Sequence, residues 1–186
     1  FEMGQKEIIM NLVRPLLGEV GMMVNNNQLT IGQEHLLSSM LRDFLGNMHQ
    51  SLSPYDLNSR DAAKRVMLTT REGDLHEFSI LMSAILSNLY HCKTYYLGPS
   101  MPVADLAHAV TQLRIDTLIL GAMPLPPDKE IVTVTNYLKE LDRSVPRSVT
   151  FCIGGPEMNT SFLRQDRHVI KVKSLAEMDQ FLSSWV

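Results

Sequence analysis

The chain has 186 residues, of which 45% are hydrophobic, and it carries a formal net charge of -3. This composition is sufficient for a packed core in one or two domains. The charge gives no bulk attraction to nucleic acid, so contact with DNA would require a segment absent from this chain. No apolar run is long enough to span a bilayer and no signal peptide opens the sequence, so we expect no membrane partner and a cytoplasmic location. Because the sequence opens with Phe1 rather than Met, we expect a longer parent protein.

Residues 1–50 are predicted to form a helical cap. Apolar residues recur at helical spacing over Ile8–Val20, and Pro15 is expected to kink or break this helix. Thr30 is a candidate N-cap for a second helix, which carries a wide apolar stripe as far as Met48. Two such helices do not close a bundle by themselves, so we expect further helices or a second copy of the chain to cover the stripe.

Residues 51–61 are polar and indicate a linker, and residues 62–186 then alternate between short apolar strands and helices. Five strand–helix units in strict alternation favour a parallel sheet covered on both faces. The predicted fold class is therefore α/β, with a helical-bundle cap followed by a five-stranded parallel flavodoxin- or Rossmann-like sheet. The predicted strands are 66–70, 94–97, 117–120, 149–153 and 169–172, and the predicted helices are 76–90, 103–113, 129–141, 157–163 and 175–185.

Ligands bind such sheets beyond the carboxyl ends of the strands, and three loops there carry suitable residues. In the loop after the first strand, His76 follows Asp74 by two residues. A histidine can ligate a metal through one ring nitrogen while a carboxylate holds the other. Gly121 and the pair Gly154-Gly155 follow the third and fourth strands, and they would leave a slot for a long, narrow group. Each feature alone also fits a helix cap or a turn, so it is their meeting at one edge that favours a binding site.

Two stretches of the sequence resemble one family. Asp74–Ser79 resembles the Asp-x-His-x-x-Gly signature of cobalamin-binding domains, and Gly154-Gly155 resembles its later Gly-Gly. Pro15–His35, with Tyr96–Pro99, resembles the CarH/LitR type of MerR-family light-dependent transcription regulators, which use adenosylcobalamin. The resemblance extends over nearly the whole chain.

The resemblance also implies a role for each position. His76 would be the lower axial ligand of cobalt, with Asp74 or Glu77 as its polar support, and Glu34 and His35 would face the upper side of the cofactor. The nucleotide tail would enter the slot of small residues. The other residues expected to contact the cofactor are Val24, Asn25, Thr69, Leu75, Ser79, Gly121, Ala122, Gly154 and Gly155.

Four positions depart from the family pattern. Val24 stands where the light-sensing regulators have a capping Trp, and Asn25 stands where they often have a His that ligates cobalt after photolysis. Gly121 replaces the Ser of a Ser-x-Leu motif, which removes a hydroxyl expected at the tail, and Ser79 replaces the last Gly of the signature. The lower ligand is therefore kept, and a response to light is left open.

The sequence thus predicts a cobalamin-binding sensory module of a bacterial transcription regulator, and not an enzyme. Its ligand state, with adenosylcobalamin as the expected form, would control homo-oligomerisation and DNA binding. Three alternatives stay open at this point. The chain could be a degenerate relative that binds no cofactor and acts as a protein–protein interaction module, it could hold haem or a bilin, or it could be a corrinoid methyl-carrier domain.

Overall fold

The computed structural model describes residues 3–52, 64–126, 132–156 and 159–185. The chain divides into two compact units, Phe1–Ser53 and Pro54–Val186, and each is described by itself. In the described ranges, no helix is both long enough and apolar enough to cross a membrane.

The first unit is helical. Its elements are α1 (Gln5–Ile8), a π-helical turn (Ile9–Val13), α2 (Arg14–Asn25) and α3 (Ile31–Leu52). Pro15 is the second residue of α2, but the π-helical turn runs directly into α2, so Pro15 lies within a continuous helical run and cannot donate a hydrogen bond to the preceding turn. The break expected at Pro15 takes the form of the widened π-helical turn directly before α2.

The cap predicted for α3 is confirmed. The backbone N–H of Thr30 donates to Gln33 Oε1 over 2.9 Å, and the Gln33 N–H donates to Thr30 Oγ1 over 3.3 Å. The helix continues to Leu52, two residues into the stretch interpreted as a linker, and the rest of that stretch lies outside the described residues. Part of the apolar stripe on α3 is exposed, at Leu36, Met40 and Phe44.

The second unit is built on the predicted five-stranded parallel sheet, which is confirmed. Its strands are β1 (Arg65–Thr70), β2 (Lys93–Tyr96), β3 (Thr117–Gly121), β4 (Thr150–Gly154) and β5 (Val169–Val172). Their order across the sheet is β2-β1-β3-β4-β5, and every neighbouring pair is parallel. This is the flavodoxin-like order of a doubly wound fold.

Helices cover the sheet, as the near-continuous apolar character of its central strands requires. They are α4 (Phe78–Leu89), α5 (Val103–Gln112), α6 (Val134–Ser144) and α7 (Leu175–Ser183). α4 packs with α7, and α5 packs with α6. One core cluster joins α5 and α6 to alternate residues of the central strands, among them Met67, Leu118 and Leu120.

Two of the predicted helices begin later in the chain than expected, and a third predicted helix, 157–163, is wrong over the residues that the structure describes. α4 begins at Phe78, so His76 lies in the loop and not in the helix. α6 begins at Val134, and residues 129–131 of its predicted span lie outside the described residues. Residues 159–163 form turns where a helix was expected, because Asn159 Oδ1 accepts the Ser161 N–H over 2.8 Å and competes with helical hydrogen bonding.

A buried guanidinium closes the end of the sheet where β4 begins. Arg167 is buried, its Nε donates to Asp142 Oδ1 over 2.7 Å, and its Nη1 donates to the Val149 carbonyl over 2.7 Å. Burial alone would raise the pKa of Asp142. The backbone N–H of Arg164 and the Arg167 guanidinium outweigh burial and hold that pKa below its usual value.

The strand register decides where the candidate loops meet. Thr70 pairs with Gly121, and Gly121 pairs with Gly154, so the carboxyl ends of β1, β3 and β4 lie side by side. The prediction that these loops share one edge is confirmed. The chain also reverses its direction of travel across the sheet between β1 and β3, and ligands bind doubly wound sheets at this crevice.

Candidate functional site

The centre of the candidate site is a hydrogen-bonded pair, His76 and Asp74, in the loop between β1 and α4. His76 Nδ1 lies 2.7 Å from Asp74 Oδ1, and the backbone N–H of His76 donates to the same oxygen over 3.0 Å. The Asp74 side chain is fully buried, whereas the His76 side chain is 65% exposed. A carboxylate can only accept at Nδ1, so it selects the tautomer in which Nε2 carries the lone pair. The arrangement presents Nε2 as a metal ligand with its orientation fixed.

Asp74 is itself held from a second strand end. Its Oδ2 accepts the backbone N–H of Met123, in the loop after β3, over 3.1 Å. The Asp74 carbonyl accepts a short hydrogen bond from Thr70 Oγ1. Both carboxylate oxygens are therefore engaged, and the carboxylate cannot rotate away from His76 without breaking several bonds.

The loop after β2 holds the other side of the His76 loop. Ser100 donates its backbone N–H to Thr70 Oγ1 over 2.8 Å, and its Oγ accepts the Gly73 N–H over 3.0 Å. Ser100 adopts a φ of 62° and Gly98 a φ of 79°, a left-handed turn that brings these groups within reach. The site loop is therefore preformed by its neighbours on both sides.

A cavity of about 160 Å³ opens beside His76, within the second unit. Small-molecule pockets are typically about 300–1,000 Å³, so this slot would admit part of a large ligand and not the whole of one. Most of its wall is apolar. It is lined by Asp74, His76, Ser79, Ile80, Ser83, Ile119, Gly121, Met123, Gly154, Gly155, Val172, Lys173, Ser174, Leu175 and Met178.

The glycines of the slot have different steric roles. A Cβ on Gly121 would lie 3.0 Å from Thr70 Cγ2 and 3.1 Å from two side-chain carbons of Ile80, so these neighbours fill the space of the family's serine. Gly155 has a φ of 142°, and a Cβ there would lie 3.1 Å from the Ala122 carbonyl oxygen. A Cβ on Gly154 would only reach ordinary contact, 3.7 Å from Val172 Cγ2. A side chain at 121 would therefore require Thr70 and Ile80 to shift, and the backbone conformation at 155 favours glycine. A Cβ at 154 would fit without a clash.

The remaining predicted residues of this unit lie around the pair rather than in the slot. Thr69 is buried and donates to the Gly98 carbonyl over 2.7 Å, and Ala122 is buried in the core. Glu77 Oε2 accepts the hydroxyl of Tyr96 over 3.2 Å, so the polar support at hydrogen-bonding distance from His76 Nδ1 is Asp74. Leu75, the residue before His76, is 72% exposed.

The predicted upper-face residues belong to the first unit. Val24 and Asn25 are the last two residues of α2. Glu34 lies in the first turn of α3, and His35 follows it. His35 Nε2 is 3.5 Å from Glu34 Oε2, and Glu34 Oε1 accepts the Ser38 hydroxyl over 2.7 Å. Their role toward a ligand of the second unit stays a prediction.

Sequence reasoning missed two parts of the site. The loop from β5 to α7 contributes Lys173, Ser174 and Leu175 to the slot, and it follows a strand end just as the other site loops do. Arg71 is fully buried beside Asp74 despite its charge, and no local pattern separates it from a surface arginine. In the described part of the chain, no group of three or more His, Cys, Asp or Glu side chains could hold a metal ion.

No protein-family model matches the chain. It is 30% identical over 120 residues to the HTH-type transcriptional repressor CarA of Myxococcus xanthus, a match that covers 64% of this chain and 38% of CarA. It is 26% identical over 144 residues to the HTH-type transcriptional repressor CarH of the same organism, covering 77% of this chain and 45% of CarH. The chain is similar in sequence to these two repressors. The predicted resemblance is thus confirmed, and the matched chain spans less than half of either protein.

Solved structures confirm the fold class. The monomethylamine corrinoid protein of Methanosarcina barkeri superposes with a TM-score of 0.66 at 13% identity, over 97% of this chain and 83% of that one. A cobalamin-binding protein of Desulfitobacterium hafniense gives a TM-score of 0.52 at 14% identity, over 98% of this chain and 93% of that one. At these identities the likeness concerns the fold alone.

Proposed function

We propose that the second unit binds a corrinoid through His76 Nε2 as the lower axial ligand, and that the chain is the ligand-sensing module of a transcription regulator. The observation that carries the proposal is the buried Asp74 fixed against His76 Nδ1, directly beside a narrow slot at the switch point of the sheet. A single imidazole suffices for a metal that a macrocycle already holds. The similarity to the CarA and CarH repressors supports the regulatory part.

The slot favours a corrinoid over haem or a bilin. A cobalamin whose own base leaves the cobalt brings a nucleotide tail that must be housed beside the axial ligand, and a narrow apolar slot lies there. Gly154 and Gly155 let that tail approach the backbone at the end of β4. Leu75 and Met123 are both exposed and are the apolar candidates for contact with the macrocycle.

Adenosylcobalamin is the form we propose, in keeping with the family resemblance. When bound, it supplies a cobalt–carbon bond that visible light can break. Val24 and Asn25 replace the upper-face Trp and His of the light-sensing regulators, so Glu34 and His35 are the remaining polar candidates for that side. We propose no turnover. The cofactor would change self-association because it would bind one assembly of the protein more tightly than another. A segment outside this chain would contact DNA.

Absorption spectra test the axial ligand. Hydroxocobalamin and adenosylcobalamin are added in the dark to the wild-type protein, to His76→Ala, and to His108→Ala, a matched exposed histidine on α5. We expect wild type and His108→Ala to shift the cofactor spectrum equally, and His76→Ala to lack the shift. Identical spectra for wild type and His76→Ala would remove His76 as ligand, and binding of haemin or biliverdin in place of corrinoids would favour the other tetrapyrroles.

Electron paramagnetic resonance identifies the ligand atom. In the cob(II)alamin complex, labelling the histidines with ¹⁵N should turn the three-line splitting from the axial nitrogen into two lines. A three-line pattern that survives labelling would mean that the cofactor's own base still occupies the lower side.

Size-exclusion profiles in the dark and after green light then test control of assembly, and equal profiles would refute a light response.

A corrinoid methyl-carrier is the second candidate. The similarity in fold to the monomethylamine corrinoid protein favours it, since that match covers nearly the whole chain. Methylcobalamin bound to the protein would then transfer its methyl group to an acceptor when a partner methyltransferase is added. Retention of the methyl group under those conditions, with a DNA-binding response to adenosylcobalamin in the full-length protein, would exclude this role.

A further inference from the structure

The buried guanidinium of Arg71 is connected to the His76–Asp74 pair through one residue, Met123. Arg71 follows β1 directly, and its side chain is fully buried. Its Nε and Nη2 donate to the Met123 carbonyl over 3.1 and 3.0 Å, and its Nη1 donates to the Val132 carbonyl over 2.9 Å. Its backbone N–H donates to the Gly121 carbonyl over 3.0 Å. Arg71 therefore connects the loop after β1 to both described ends of the loop after β3.

The two hydrogen bonds from Arg71 hold Met123, which in turn donates to Asp74. Met123 offers its carbonyl to Arg71 and its backbone N–H to Asp74 Oδ2. Two donors that converge on one carbonyl oxygen restrict its position more than one donor does, since a guanidinium is planar and rigid. The Met123 N–H and carbonyl belong to adjacent peptide groups that meet at the Met123 Cα, so anchoring the carbonyl removes one of the two rotations that could redirect the N–H. Pro124 restricts the Met123 backbone further, because the residue before a proline is confined to extended conformations.

We propose that Arg71 is a positioning residue for the axial ligand, acting through Met123 and Asp74 to hold His76 with Nδ1 protonated and Nε2 free. This role rests on the proposed function, because it concerns the readiness of His76 for a metal. Burying a guanidinium costs free energy unless its N–H groups have acceptors. Arg71 donates to the backbone carbonyls of Met123, Glu72 and Val132, which offset this cost. A surface arginine at this position would leave the Met123 peptide free to turn.

The matched control is Arg167, a second buried arginine among the described residues of this unit. It too donates to backbone carbonyls, but at the end of the sheet where β4 begins and far along the strands from Asp74. Arg71→Lys and Arg167→Lys both keep the charge and lose the fork. We expect both to lower the melting temperature, and only Arg71→Lys to change His76.

The decisive readout is the tautomer of His76 in the cofactor-free protein, from long-range ¹H–¹⁵N spectra assigned with His76→Ala. We expect a single Nδ1–H form in wild type and in Arg167→Lys, and a mixture of both tautomers in Arg71→Lys and Arg71→Gln. Hydroxocobalamin affinity should fall about tenfold in the Arg71 variants, the lower end of the range for partners behind a metal ligand. An unchanged tautomer, with affinity equal to that of Arg167→Lys, would overturn the proposal.

The two proposals fail separately. If wild-type protein binds no corrinoid, the proposed function falls, while the tautomer of His76 in the Arg71 variants still reports on positioning. If Arg71→Gln does not fold, Arg71→Lys decides, because a lysine ammonium can reach one carbonyl but cannot present a planar fork.

Discussion

Replacing Asp74 by Asn keeps the shape of the side chain and removes one acceptor. Asp74 receives three N–H groups, two from His76 on Oδ1 at 2.7 and 3.0 Å and one from Met123 on Oδ2 at 3.1 Å. An amide has one oxygen, so its NH₂ group must face either the Met123 N–H or the two donors of His76. At least one buried donor is then left without an acceptor in Asp74→Asn.

The magnitude follows from that count. One buried donor left unsatisfied costs about 1–3 kcal/mol of unfolding free energy. Loss of the charged partner of a metal-ligating histidine typically costs about 10–100-fold in affinity for the metal group. We therefore expect Asp74→Asn to unfold at lower urea concentration than wild type and to bind hydroxocobalamin at least about tenfold more weakly.

The control is Asp105→Asn, since Asp105 is exposed in the first turn of α5. That variant should lose at most about 1 kcal/mol, the helix-dipole contribution of a surface carboxylate, and should keep wild-type affinity. Unfolding is followed by circular dichroism and binding by the visible spectrum. Wild-type stability and affinity within twofold of wild type in Asp74→Asn would refute the view that this carboxylate orients His76.

Three further predictions concern packing, charge and thiols. Gly121→Ser should lose about 1–3 kcal/mol by overpacking in urea unfolding, whereas Gly154→Ala should stay close to wild type, and equal losses would contradict the contacts described. Asp142→Asn should lose about 3–5 kcal/mol at neutral pH, because it breaks a buried ion pair. Because the pKa of Asp142 is lowered in the folded state, its contribution to the unfolding free energy is present above about pH 3.9 and is lost as the pH falls further. Plots of unfolding free energy against pH for wild type and Asp142→Asn should therefore converge in acid. Parallel plots would contradict a stabilising role of the Asp142 charge. Burial raises the pKa of Cys92 to about 11 and that of Cys152 to about 12, so neither thiol should react with a disulfide reagent at pH 8 until urea unfolds the protein.

A separate test addresses the slot. Gly154→Val places its Cβ where the structure has room and extends its methyl groups toward the cavity. We expect the fold to be kept, affinity for cobalamin to fall, and affinity for cobinamide, which lacks the nucleotide tail, to be unchanged. A parallel loss for both ligands would mean that the cavity does not house the tail.

Much of the architecture follows from local pattern. Alternation of short apolar strands with helices predicted the parallel sheet, because strands buried on both faces become continuously apolar. Placement of the candidate loops on one edge followed from parallel topology alone, and the pairing of Thr70, Gly121 and Gly154 bears it out. The helix expected near Leu163 failed because an Asn159 side chain competes for the backbone, which periodicity does not register.

Local sequence was enough to predict the sheet, the edge at which the candidate loops meet and the closeness of His76 to Asp74, since these depend on neighbours in the chain. The folded structure was needed to show that Asp74 rather than Glu77 is hydrogen-bonded to the His76 ring, that Thr70 and Ile80 fill the space beside Gly121, and that Arg71 is buried. These facts depend on contacts between residues about 50 positions apart, such as the Met123 N–H on Asp74. Side-chain packing across strand ends sets them, and no local spacing in the sequence encodes it.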